Sequence, residues 1–223
     1  MIRASRLFSD EDKQNISEAV AEAEKKTSGE IVPVVATMSG RYDRAEDIFG
    51  LLLALAAVAV FGLIFRLPTL PGDWGQPIAV SVWHTLVLFF ITFVAGAALA
   101  TYVPILARPF VGRRELNEEV MRSARLAFTE FRVRGTKGGT GILIYVSLFE
   151  RRAAVIGDDP IAGKLDQKQW NEVKDLVIAG LKKGKPTEGI CNAIKRCGEL
   201  LSEHFPIAPG DVNELGNELH IID

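Results

Sequence analysis

The chain has 223 residues, a formal charge of −2, and 48% apolar against 24% charged residues, a globular balance on average. Nucleic acid is not an expected partner, because its recognition calls for a clustered basic face and none is visible. Charge is almost absent between Ile48 and Ala107 and dense on both sides; removing that oily block leaves about 160 residues, the size of a single domain with a sizeable core.

Met1 to Asp10 carries charge and no long apolar run, so no cleavable signal peptide is expected. Ser9 before Asp10, Glu11 and Asp12 marks a helix start, with acids against the positive end of the helix dipole. Ile16, Ala19, Val20 and Ala23 then recur at helical spacing, and Gly29 follows the last turn. Glu30 to Met38, rich in β-branched residues, reads as a strand, and Pro33 within it favours an edge position or a strand start.

Ile48 to Phe65 is an uncharged run whose length as a helix, roughly 27 Å, just crosses a bilayer core. A second uncharged run extends from Ile78 to Ala107, long enough to span with tilt. Arg66 to Pro77, with its prolines, glycines and Trp74, is the expected interfacial turn. Two adjacent helices apolar on every face would need a far larger protein around them if they were buried in a soluble one. Arg41 and Arg44 precede the first span, and Arg108, Arg113, Arg114, Arg122 and Arg125 follow the second, whereas the loop offers Arg66 alone. Positive charge stays in the cytoplasm, so both arms and both termini are expected there, on the inner (cytoplasmic) membrane. His84 beside Trp83 reads as an interfacial side chain and not as part of a transport path, since two helices cannot enclose a pore alone.

After the block, Leu116, Val120, Ala124, Ala127, Phe128 and Phe131 form one helical stripe. Arg132 to Gly141 is a loop into Ile142 to Ser147, a continuous apolar run typical of a strand buried on both faces, and Ala153 to Ile156 reads as its hairpin partner. Trp170, Val173, Val177 and Leu181 mark a further helix, and Ile190, Ile194, Cys197 and Leu201 the last, begun by Pro186 and ended by Pro206. Cys191 and Cys197 lie six apart on that helix and point in different directions, as reduced core residues would. The expected fold is α/β: a small mixed sheet with helices packed on it, interrupted by a two-helix transmembrane hairpin. In residue terms this is a discontinuous domain of 1–47 plus 108–206, a hairpin over 48–107, and a partly ordered tail over 207–223.

Ser28-Gly-Glu-Ile31, Thr140 to Ser147, Glu150-Arg151, Ile156-Gly-Asp158, Trp170, Gly189-Ile190 and His204-Phe-Pro206 in that order resemble the TPM domain family. That family includes thylakoid-lumen photosystem-repair proteins, a nematode acetylcholine-receptor auxiliary protein and bacterial membrane proteins, a subgroup of which carries a membrane hairpin inside the domain. The resemblance implies either assistance to membrane complexes, or the calcium binding or weak acid-phosphatase-like activity described for some members. Where the subgroup often reads Asp-x-Gly-Ile, this chain reads Asp158-Asp159-Pro160-Ile161.

Three carboxylates are the candidate site. Glu30, Asp158 and Asp159 sit at strand ends, where they are able to converge at a sheet rim and hold a hard cation, Ca²⁺ or Mg²⁺, or share a proton; the bland alternative is solvated acids capping a turn. The loop Gly135 to Gly141 is not expected to hold a nucleotide, because it runs from helix to strand and so offers no helix N-terminus to a phosphate. No Ser or Cys nucleophile with a paired base is apparent. The expected function is therefore a non-catalytic, membrane-anchored adaptor or assembly module whose partners are the lipid bilayer and another membrane protein; the alternative is a weak hydrolase dependent on a divalent cation.

Overall fold

The computed structural model describes residues 3–65 and 81–223, which divide into two compact units: Arg41–Arg113, and the residues up to Gly40 together with Arg114–Asp223. The second unit begins with a short helix α1 (Ala4–Leu7) and the amphipathic α2 (Asp10–Glu24). Ser9 caps α2 as its sequence suggests: its hydroxyl accepts the Asp12 N–H and the Asp12 carboxylate accepts the Ser9 N–H, a closed capping box. Strand β1 (Glu30–Ala36) follows.

Unit one consists of α3 (Asp43–Phe65) and α4 (Val82–Tyr102), antiparallel, with two 3-10 turns after α4. Both helices are long and apolar enough to cross a membrane. They meet through small residues. A Cβ on Gly50 would lie 2.8 Å from the Phe93 carbonyl oxygen, and one on Gly96 would lie 2.9 Å from the Gly50 Cα, so the two backbones touch where only hydrogen fits. Helix α3 begins five residues before the uncharged run and takes in Asp43, Glu46 and Asp47, with Glu46 accepting a hydrogen bond from the Thr101 hydroxyl. The expected interfacial turn at Arg66 to Pro77, and the start of the second run at Ile78, lie outside the described residues.

The chain then forms α5 (Arg113–Glu130), β2 (Gly141–Ser147), β3 (Arg152–Gly157), α6 (Asp159–Ala162), α7 (Gln167–Lys182), α8 (Pro186–His204) and β4 (His220–Ile222). The sheet is mixed, in the order β3-β2-β1-β4: β1 runs parallel to β2 and β4, and β3 antiparallel to β2. The register sets Glu30 against Gly141 and Ala36 against Ser147.

Strands β1 and β2 are buried at every position, and their side chains alternate between two cores. Ile31 and Val35, with Ile142, Ile144 and Val146, face a layer built by α2, α7 and α8. Val32, Val34 and Ala36, with Leu143 and Tyr145, face α5 through Val120, Ala124 and Ala127. This is why the Ile142 run is apolar without alternation: both of its faces are covered.

Pro33 is not at a strand start, but it does hold an edge position, because β4 leaves this side of β1 uncovered before Val34. It stands fourth in β1, paired in register with Ile144. The Glu30 N–H bonds to the Thr140 carbonyl on the β2 side, while the Thr37 N–H bonds to Ile222 on the β4 side. Odd-numbered amides of β1 therefore point away from β2, and β4 pairs only from Val34 onwards. Pro33, which has no N–H, occupies the stretch of that side where no strand would receive one. The tail also holds an element unseen in its composition, since β4 comes from within residues 207–223.

Candidate functional site

Glu30, Asp158 and Asp159 lie at one rim of the sheet, the end where β1 and β2 begin. Glu30 is opposite Gly141 in register, and the Gly141 carbonyl accepts the Asp158 N–H at 3.0 Å. The rim places them near one another along the backbone, but their carboxylates are engaged separately. Glu30 is buried and accepts the backbone N–H of Glu214 at 3.1 Å and of Leu215 at 3.2 Å, which moors the C-terminal segment to the start of β1. Asp158 is buried too, caps α6 by accepting the Asp159 N–H, and pairs with Arg134 at 3.2 Å. Asp159 is exposed and takes Nη2 of the same guanidinium at 2.7 Å. Pro160 enters the first turn of α6, where a missing N–H is harmless. Among the described residues no group of three or more His, Cys, Asp or Glu side chains stands together as metal ligands would.

A carboxylate that sequence reasoning missed adjoins Glu30. Glu24, in the last turn of α2, turns inward and accepts the Ile31 N–H at 2.9 Å through Oε1, while its Oε2 is buried with no hydrogen-bond partner among the described residues. Burial pushes the Glu24 carboxyl up to about 8, and the nearby Glu30 carboxylate adds to the rise. Glu30 is itself raised, by burial first, against the lowering effect of its two amide donors. The signal for Glu24 is an acid at a helix C-terminus, where the dipole disfavours negative charge and Lys or Arg is usual. The two acids share a cleft of about 230 Å³ with Asp211, Asn213 and Asn217. Glu30 also lines an adjoining cleft of about 360 Å³ with Ser28, Lys137, Gly138 and Thr140.

The glycine loop that ends at Gly141 packs under this rim. A Cβ on Gly141 would fall 2.1 Å from the Val133 carbonyl oxygen, so the position requires close backbone approach rather than freedom of φ. Gly139, with φ +61°, is left-handed, as is Arg132 at the start of the loop.

At the opposite rim, a polar cluster closes the sheet. Glu150, 2% exposed, accepts the Ser39 N–H at 2.9 Å and the Ser147 hydroxyl. The Ser39 hydroxyl donates to Ser147 Oγ at 2.8 Å and lies 3.1 Å from the Tyr145 hydroxyl, and Ser123 on α5 donates to the Ser39 carbonyl. The cluster ties the end of β1 to β2 and α5.

Residues 113–200, from the start of α5 to well into α8, match the family model described as the TPM domain. The fold is similar to the NMR structure of BA42 protein from the psychrophilic bacterium Bizionia argentinensis, with a TM-score of 0.59 and 18% identity over 99% of each chain. A comparison with curated proteins found no match.

Proposed function

On the premise that this chain carries a TPM domain over residues 113–200, we propose that it is a membrane-anchored, non-catalytic adaptor whose α/β domain binds another membrane protein. The observation that carries this reading is the use made of the candidate carboxylates: Glu30 holds the C-terminal segment, and Asp158 and Asp159 hold Arg134. Each of these acids has a structural task, and a carboxylate whose oxygens already accept amide or guanidinium hydrogens is a poor metal ligand. The two apolar helices supply the anchor. The flanking arginines favour the inner membrane with both arms on the cytoplasmic side.

The test is an assay of the full chain in detergent against a generic phosphomonoester, with and without Mg²⁺ or Ca²⁺. The adaptor reading expects no turnover above buffer. Metal-dependent turnover that disappears in Asp158→Asn would establish the hydrolase instead.

A further inference from the structure

The two edges of the sheet are unlike. On the β1 side the edge is closed by three devices: Pro33 offers no N–H, the Glu24 carboxylate takes the N–H of Ile31, and β4 covers Val34 to Ala36. Natural sheets block unwanted strand pairing in such ways.

Strand β3, at the other edge, has none of these devices. Its ladder with β2 is continuous from Arg152 to Gly157, without a bulge. The Asp158 N–H bonds to the Gly141 carbonyl, which by antiparallel alternation turns the amides of Arg152, Ala154 and Ile156 towards β2. Those of Ala153, Val155 and Gly157 point outward. No charge and no proline lies between Ala153 and Gly157, and every side chain of β3 except Ala154 is only part-buried. Five residues of apolar edge, Ala153 to Gly157, are enough to accept another strand.

The charges at its ends identify that strand. Arg151 and Arg152 precede the apolar run, and Asp158 and Asp159 follow it. The sequence is therefore complementary to its own reversed copy. With Val155 on a two-fold axis, Ala153 pairs with Gly157 and Ala154 with Ile156, and beyond the ladder the turn that carries Arg151 comes beside the start of the second copy's α6, which carries Asp159. Arg151 is exposed, and the Asp159 side chain is 86% exposed and paired among the described residues with the exposed Arg134, so an Arg151–Asp159 pair can form across an interface. We infer that β3 is a homodimer interface, in which two copies of this chain pair antiparallel through β3 to form one eight-stranded sheet. The contact is isologous, as a closed two-fold assembly requires.

The experiment measures the mass of the full chain in nanodiscs or mild detergent by light scattering over a concentration series. The native chain is expected to dimerise. Val155→Pro removes one outward N–H per copy and none that bonds to β2, so circular dichroism should be unchanged while the dimer dissociates at concentrations roughly tenfold higher than for the native chain, or does not form. Arg151→Asp should weaken the dimer several-fold, and Arg151→Asp with Asp159→Arg should restore it. A native chain that stays monomeric at about 100 μM, well above the range of a specific interface, overturns the inference. So does a Val155→Pro chain that dimerises like the native one. Should Val155→Pro fail to fold, the charge pair decides: Arg151→Asp without effect, or a double variant without recovery, also overturns it.

Discussion

The Glu24 carboxylate accepts the Ile31 N–H at 2.9 Å on the side of β1 that β4 leaves uncovered, so a helix side chain stands in for a missing strand. The substitution keeps one buried oxygen without a hydrogen-bond partner among the described residues, and the carboxyl is raised from 4.5 to about 8, first by burial. An acid raised on folding is disfavoured in its ionised form inside the fold. Stability is therefore full below pH 4.5, declines as pH rises towards about 8, and levels off above it. Glu24→Gln keeps the acceptor for Ile31 and removes the ionisation. Its melting temperature should match the native chain near pH 4 and exceed it increasingly between pH 5 and 8. A constant difference across that range would mean that folding does not raise the Glu24 carboxyl.

Gly141 is the least substitutable glycine of the α/β unit, with the Val133 carbonyl oxygen 2.1 Å from where a Cβ would stand. Gly141→Ala should destabilise by at least ~2 kcal/mol, because backbone on both sides must move. Gly112→Ala, where a Cβ meets nothing within 4 Å, is the control and should leave the melting temperature nearly unchanged. Equal effects from the two would remove close approach as the reason for Gly141.

Much of the fold was legible because its signals are periodic or compositional. The Ile142 to Ser147 run is apolar at every position because helices cover both faces of β2, and the Ser9 box and the Pro186 start are local stereochemistry. Pro33 marks the edge that its type suggests, but only because β4 begins to pair at Val34, which the sequence does not show. A three-residue strand drawn from an acidic, glycine-containing tail has no periodicity to read; its pairing with β1 is what defines it. The candidate site was legible as a rim, since Glu30 and Asp158 both flank Gly141, but the engagement of each acid was not. Arg134 is 24 residues from Asp158, and the donors to Glu30 lie 184 and 185 residues away.

The proposed orientation rests on arginine placement and is tested in intact cells. In a chain with Cys191 and Cys197 replaced by serine, an impermeant thiol reagent should label a cysteine engineered beside Trp74 and not one at the exposed Lys183. The reverse pattern would place the α/β domain outside the cytoplasm.

The central claim is that one domain is built from two arms that the apolar helices separate in sequence. Strand β1 pairs with β2 over seven residues, and without β1 the apolar strand β2 would expose one side of its backbone. A Cβ on Gly40 would lie 2.7 Å from Glu119 Cγ, so the chain leaves β1 within about two helical turns of where α5 begins, and a short linker suffices to join them. The most direct measurement compares thermal unfolding of a chain in which a Gly/Ser linker replaces Arg41–Arg113 with that of residues 108–223 alone. The linked chain should be soluble and unfold in one cooperative transition, while the fragment should aggregate or melt without a transition. A sharp transition and native-like NMR dispersion from the fragment alone would contradict the account.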